Sequence, residues 1–178
     1  MIKINKITDS FRTGAAAEEL AAAHIAAAGW QLVDVRSIRY YQIRDIDYIL
    51  CSSDGAQQYT MDIKTDKCYG TGNYAIEITS NVERNTLGWV YTSKADYICI
   101  IYPVSADTYE YHIINLPILR QWLTDNISNC RKITNSTRAA HGDKVLYHSK
   151  FVLINRKMLQ TGSTAVEEIK QIKEENAA

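Results

Sequence analysis

The chain has 178 residues, 46% hydrophobic and 22% charged, an ordinary globular composition and long enough for one core without staples. That excludes a disordered or low-complexity chain, and no apolar run approaches the roughly 20 residues of a membrane span. Twenty basic residues balance twenty acidic ones, so a strongly basic polyanion binder is excluded as a whole, though not as a local face. The opening Met1-Ile2-Lys3-Ile4-Asn5-Lys6 carries no signal-type apolar core, and a cytoplasmic location is expected. Cys51, Cys68, Cys99 and Cys130 are scattered without zinc-ligand spacing and read as reduced thiols.

In chain order, Gly14 to Ala28 reads as an Ala-rich helix stopped by Gly29. Trp30–Ser37 and Ile46–Cys51 read as strands, Ser52-Ser53-Asp54-Gly55 as a turn, and Gln58–Thr65 as a third strand. Residues 69–73 read as a loop and Tyr74–Thr79 as extended. Ser80 and Glu83 have capping-box spacing, which predicts a short helix. Asp96–Tyr102 is apolar enough to be a strand buried on both faces, and Tyr109–Ile114 is another strand. Leu116–Ile127 is expected as a helix with Pro117 in its first turn, Asn129–Lys144 as a long polar loop, and Val145–Asn155 as a strand. Thr164 and Glu167 repeat the capping-box spacing. Residues 1–160 are thus expected as one domain and residues 161–178 as a charged C-terminal helix or tail. The order of elements predicts an α/β sandwich, a central mixed β-sheet flanked by helices.

The third strand carries the chemistry. In Thr60-Met61-Asp62-Ile63-Lys64-Thr65 side chains alternate, so Met61 and Ile63 face one way and Asp62 and Lys64 the other. A carboxylate and an amine within an apolar strand are costly to bury unless they pair or bind a metal. Asp47, inside Ile46-Asp47-Tyr48-Ile49-Leu50, is equally out of place. If the two strands are neighbours, Asp47 and Asp62 converge on one hard cation, and carboxylate oxygens with a carbonyl and waters suit Mg²⁺. Lys64 then stabilises charge developing on a phosphate or orients an attacking water. Asp45 shares a face with Asp47, so alternation does not choose between them, although Asp47 lies deeper in the apolar run. Glu77, between Ile76 and Ile78, reads either as a further metal ligand or as a partner for Arg84.

Asp47, then fourteen residues, then Asp62-Ile63-Lys64 resembles the PD-(D/E)XK nuclease signature, with Ile46 where the eponymous proline often stands. Glu18-Glu19-Leu20-Ala21, followed after seven residues by Gly29-Trp30, resembles the opening of resolvase-like members. Lys64-Thr65-Asp66, Thr71-Gly72-Asn73, Ile76-Glu77 and Gly88-Trp89 with Ala95-Asp96-Tyr97 look like a phage- or mobile-element-associated branch. The resemblance implies a restriction-endonuclease-like sandwich and hydrolysis of phosphodiester bonds in DNA. It implies Mg²⁺ or Mn²⁺ on Asp47, Asp62 and the Ile63 carbonyl, with Glu18 as an accessory acid.

From Arg120 to Lys157 there are eight basic residues against two acidic ones, leaving minus six for the rest of the chain. Arg131, Lys132, Arg138, Lys144 and Lys150, set among Asn, Ser, Thr and Gly, are therefore expected to contact the phosphate backbone, the plainer reading being a solvated loop, with Arg36, Arg39 and Arg44 as the alternative DNA-binding face. DNA is the expected partner; a homodimer is compatible with the sequence, and neither a membrane nor a small-molecule substrate is expected. The rival to a nuclease is a nuclease-like module that grips nucleic acid or protein without cutting.

Overall fold

A computed structural model describes residues 5–139 and 144–173, with the side chains of the first helix described from Gly14 onwards. That helix, α1 (Asn5–Ala27), is Ala-rich and so loses little side-chain entropy on forming. Ala17, Ala21 and Ile25 recur every fourth residue and make one buried stripe. Gly29, at φ 101°, takes the left-handed conformation that ends the helix.

There follow β1 (Gln31–Asp34), a helical turn α2 (Arg39–Gln42), β2 (Tyr48–Cys51) and β3 (Gln58–Thr65). Asp54 holds the β2–β3 turn, accepting from Ser52 Oγ at 2.6 Å and the Ala56 amide at 3.0 Å. A 3-10 turn at Tyr69–Thr71 leads to β4 (Asn73–Asn81), β5 (Thr86–Leu87) and the short α3 (Trp89–Thr92). β6 (Tyr97–Pro103), β7 (Thr108–Asn115) and α4 (Leu116–Asn126) come next, α4 capped by the Asn115 side chain. The chain continues as β8 (Arg131–Arg138), β9 (Val145–Asn155), α5 (Arg156–Gly162) and β10 (Val166–Lys173).

These strands form two sheets. Six run in the order β1-β2-β3-β6-β7-β10, antiparallel except for the parallel β3–β6 pair. Four run β5-β4-β9-β8, all antiparallel. One face of the larger sheet, with Tyr48, Leu50, Met61, Ile63, Cys99, Ile101 and Tyr111, packs on the α1 stripe. Ile98, Ile100, Tyr102 and Ile114 on the other face meet Tyr74, Ile76, Val152 and Ile154 of the smaller sheet, together with Leu116, Leu119 and Leu123 of α4. β6 is thus buried on both faces, as its apolar run predicts. The result is a mixed α/β sandwich whose central mixed sheet is flanked by helices.

A polar pin joins the layers. Tyr74 Oη lies 2.7 Å from His112 Nδ1, and His112 Nε2 lies 2.8 Å from Glu110 Oε1. Burial lowers the His112 pKa, with Glu110 opposing that shift. No spacing in the sequence singled His112 out: Glu110 is its neighbour on one face of β7, but Tyr74 stands on β4, distant in the chain.

Three expected elements differ. Ser80 and Glu83 open no helix: β4 runs on to Asn81, Ser80 Oγ donates to the Leu87 carbonyl, and the Glu83 carboxylate accepts from the His148 amide and faces its ring. The expected loop at 129–144 is β8 over Arg131–Arg138, held by backbone pairing to β9 rather than by apolar alternation; residues 140–143 lie outside the described residues. The expected C-terminal helix is β10. Val166, Ile169 and Ile172 recur every third residue and mimic a helix, but the open edge of β7 is satisfied by pairing along Val166–Lys173, leaving Ile169 42% exposed.

Gly88 is placed by close packing. A Cβ there would stand 2.2 Å from the Glu77 carbonyl oxygen, which no backbone shift accommodates cheaply. Gly88→Ala is expected to cost about 1–3 kcal/mol, seen as a lower urea midpoint at unchanged m value. An unaltered midpoint would contradict this close approach.

Candidate active site

β2 and β3 pair antiparallel, the last pair in register being Tyr48 opposite Met61. The Asp47 amide also donates to the Met61 carbonyl, at 2.9 Å, so Asp47 is an extra residue beside Tyr48, as at a β-bulge, and leaves the regular ladder. Its carboxylate turns back to β3, Oδ2 accepting from the Ile63 amide at 2.8 Å, and lies near enough to Asp62 to raise the Asp62 pKa. The Ile63 carbonyl leaves the strand on the same edge as its amide, towards Asp47.

Asp62 is 1% exposed. Its Oδ1 accepts from Lys64 Nζ at 2.7 Å, whereas its Oδ2 is buried without a hydrogen-bond partner. Burial pushes the Asp62 pKa up to about 8, with Asp47 adding to the rise and Lys64 opposing it. For the Lys64 ammonium, burial acts downward, but Asp62, then Asp47 and Asp45, outweigh it and the pKa is raised. Asp62 and Lys64 thus share a face and pair, while Asp47 comes near them through its break from the ladder rather than by alternation.

Glu18, half-buried beside the α1 stripe, lies near Asp47 and Lys64. Its pKa is raised by burial and then by Asp47, with Arg36 and Lys64 pulling it down. Glu77 stands across a cleft of about 510 Å³ whose wall also includes Asp45, Lys64, Ser80, Trp89 and Thr92. Burial raises the Glu77 pKa, while the Trp89 amide and Lys64 favour its charged form. Asp45 is separated from Asp47 by conformation: at φ 51° it breaks the strand's alternation, and its carboxylate accepts from Thr92 Oγ1 at 3.2 Å. Asp47, not Asp45, is the partner of Asp62.

Among the described residues, no three His, Cys, Asp or Glu side chains are gathered closely enough to form a metal cage. Mg²⁺ does not need one, since it retains several waters and binds through one or two carboxylates plus substrate phosphate. Two neighbouring carboxylates, a buried carboxylate oxygen lacking a partner and a nearby carbonyl fit such an ion. Arg36 was not among the residues singled out for the site. It pairs with Asp34 at 2.6 Å, and both Asp47 and Glu18 feel its charge. The signal that would have found it, proximity of β1's end to β2's start, is tertiary.

The basic residues Arg131, Lys132, Arg138, Lys144 and Lys150 are exposed on and beside the β8–β9 ribbon and do not line the cleft. Lys150 pairs opposite Thr79, the residue before Ser80 in the cleft wall. No protein-family model, curated protein or solved structure matches this chain. No helix among the described residues is long and apolar enough to cross a membrane.

The raised Asp62 pKa fixes a sign. The unfolded carboxyl ionises near 3.8 and the folded one near about 8, so between these values the unfolded chain binds fewer protons. In chelating buffer, stability is therefore highest below about pH 4 as far as this group is concerned and falls as pH rises to about 8. Asp62→Asn should remove most of that fall, leaving a remnant from Glu18 and Glu77, whose pKa values shift the same way. A full wild-type slope in urea midpoints across this range would show that Asp62 is not the buried acid.

Proposed function

We propose that this chain is a metal-dependent endonuclease of the PD-(D/E)XK kind, with a restriction-endonuclease-like sandwich, that hydrolyses phosphodiester bonds in DNA. The observation that carries the reading is the Asp47 carboxylate held beside Asp62 by the Ile63 amide, with Asp62 Oδ2 buried and partnerless and Lys64 beside it. A purely structural ion pair would leave Asp62 Oδ2 without a partner.

Asp47, Asp62 and the Ile63 carbonyl would hold Mg²⁺ or Mn²⁺. Such an ion supplies Lewis-acid polarisation of a phosphoryl oxygen and a more acidic water. Lys64 presents its ammonium at the cleft, where it steadies charge developing on the phosphate or orients the water. Glu18, kept weakly acidic by burial and by Asp47, takes the accessory role of orienting or accepting a proton from that water. Glu77 is held across the cleft by the Trp89 amide and is the further ligand. Water attack forms one P–O bond, the other P–O bond breaks, and the leaving oxygen takes up a proton.

An acidic cleft repels a polyanion, so affinity must come from elsewhere. The β8–β9 ribbon supplies it: Arg131, Lys132, Arg138 and Lys150 lie on strands with no acidic residue, and Lys144 precedes β9. Each residue that touches phosphate should add about one released counterion to the salt dependence.

Asp62→Asn and Lys64→Ala should each lower Mg²⁺-dependent cleavage of a nucleic-acid panel by roughly 100-fold or more, the scale of losing one positioned electrostatic group. Both variants should keep wild-type circular dichroism. Binding without cleavage by the wild type, in Mg²⁺ and in Mn²⁺, would favour the rival reading of a non-cutting module.

A further inference from the structure

The turn that delivers Asp47 to the site has an unusual surface. Ile38, Tyr40 and Ile43 are 47%, 57% and 60% exposed within six residues, although each is a side chain that folding normally covers. The segment is nevertheless firmly built. The Ile46 amide donates to the Tyr41 carbonyl, the Lys94 amide to the Arg44 carbonyl, and Tyr41 packs on the core. Its exposed ring is also oriented: the Arg44 guanidinium lies 3.7 Å from the Tyr40 ring centroid and donates to the Tyr40 carbonyl at 2.9 Å. Tyr41 meets the same ring edge-on at 5.1 Å.

Charge decides what could cover this surface. From Arg36 to Arg44 there are three arginines and no acidic residue; Arg36 is paired with Asp34 just outside the turn, which leaves Arg39 and Arg44 to meet a partner. An apolar protein partner would bury those guanidiniums at a desolvation cost. A nucleic-acid strand would neutralise them with phosphate while laying bases on the aromatic and aliphatic side chains. The turn also leads directly into the cleft. Asp45, the next residue, lines it, and Arg36 at the other end is felt by Asp47.

We propose that the Arg36–Arg44 turn is a stacking platform, centred on Tyr40 and Arg44, for unpaired nucleobases of the strand entering the cleft lined by Asp45, Lys64 and Glu77. Its bearing on substrate rests on the nuclease reading of that cleft: the substrate carries unpaired nucleotides next to the bond that is cut. Ile38 and Ile43 flank the stacked base, and Arg39 meets the adjoining phosphates.

The test separates bases from charge. Fluorescently labelled oligothymidylate and an abasic strand of equal length carry the same phosphates, and anisotropy in Ca²⁺ measures binding of each. The wild type should bind the strand with bases about tenfold more tightly, within the range observed for base–aromatic stacking. Tyr40→Ala should erase the difference, and Tyr40→Trp should keep it. Tyr40 is exposed, so neither variant threatens the fold, which circular dichroism checks. Equal affinity for the two strands, or a preference that survives Tyr40→Ala, overturns the platform. It is also overturned if Tyr40→Ala leaves base preference intact and instead dissociates a dimer in sedimentation. Failure of the nuclease reading looks different: base-dependent binding persists, while Mg²⁺ supports no cleavage.

Discussion

The departure of Asp47 from the β2–β3 register is the constraint on which the rest of the site depends. Held by the Met61 carbonyl and the Ile63 amide at the end of the ladder, it brings its carboxylate near Asp62, which is sealed from water. Removing a carboxylate from water costs several kcal/mol unless it is paired or neutralised. The fold meets that cost only in part: Lys64 satisfies one oxygen of Asp62, and the proton that Asp62 retains more readily offsets more. A sheet face that could have been filled with Ile or Val instead carries an acid whose charged form is disfavoured.

The layers explain how such a face is kept. α1 covers the opposite side of β3 with small residues, so Met61 and Ile63 anchor the strand while Asp62 and Lys64 are left to the interior between the sheets. Parallel pairing to β6, whose residues are buried throughout its centre, fixes β3 laterally. On the far side of the cleft, the close approach of Gly88 to Glu77 and the register shift between Glu77 and Thr79 set where that carboxylate stands. The site is therefore assembled from three regions, each positioned by packing rather than by the charged groups themselves.

Much of this was legible where a local pattern had a single physical meaning. The alternation of Gln58–Thr65 gives β3 and the shared face of Asp62 and Lys64, and Leu116 with Pro117 gives the start of α4. Asp45 and Asp47 have the same parity, so only the left-handed conformation of Asp45 distinguishes them. β8 was illegible because Arg131-Lys132-Ile133-Thr134-Asn135-Ser136-Thr137-Arg138 has a single aliphatic side chain and is ordered by its partner's backbone. β10 was misleading because a three-residue apolar spacing and a capping-box pair both favour a helix in isolation, and the exposed edge of β7 overrides them. The His112 network and the place of Arg36 depend on contacts between strands far apart in sequence, which no local periodicity carries.

The central claim is that the partnerless oxygen of Asp62 belongs to a divalent cation shared with Asp47. Anomalous diffraction from crystals grown with Mn²⁺ near pH 8 tests it most directly. A single strong peak is predicted between the two carboxylates, at about 2.0–2.3 Å from an oxygen of each, the range for small divalent ions bound by oxygen. Mn²⁺ bound elsewhere, with Asp47 and Asp62 unchanged and Lys64 as the sole partner of Asp62, would contradict it.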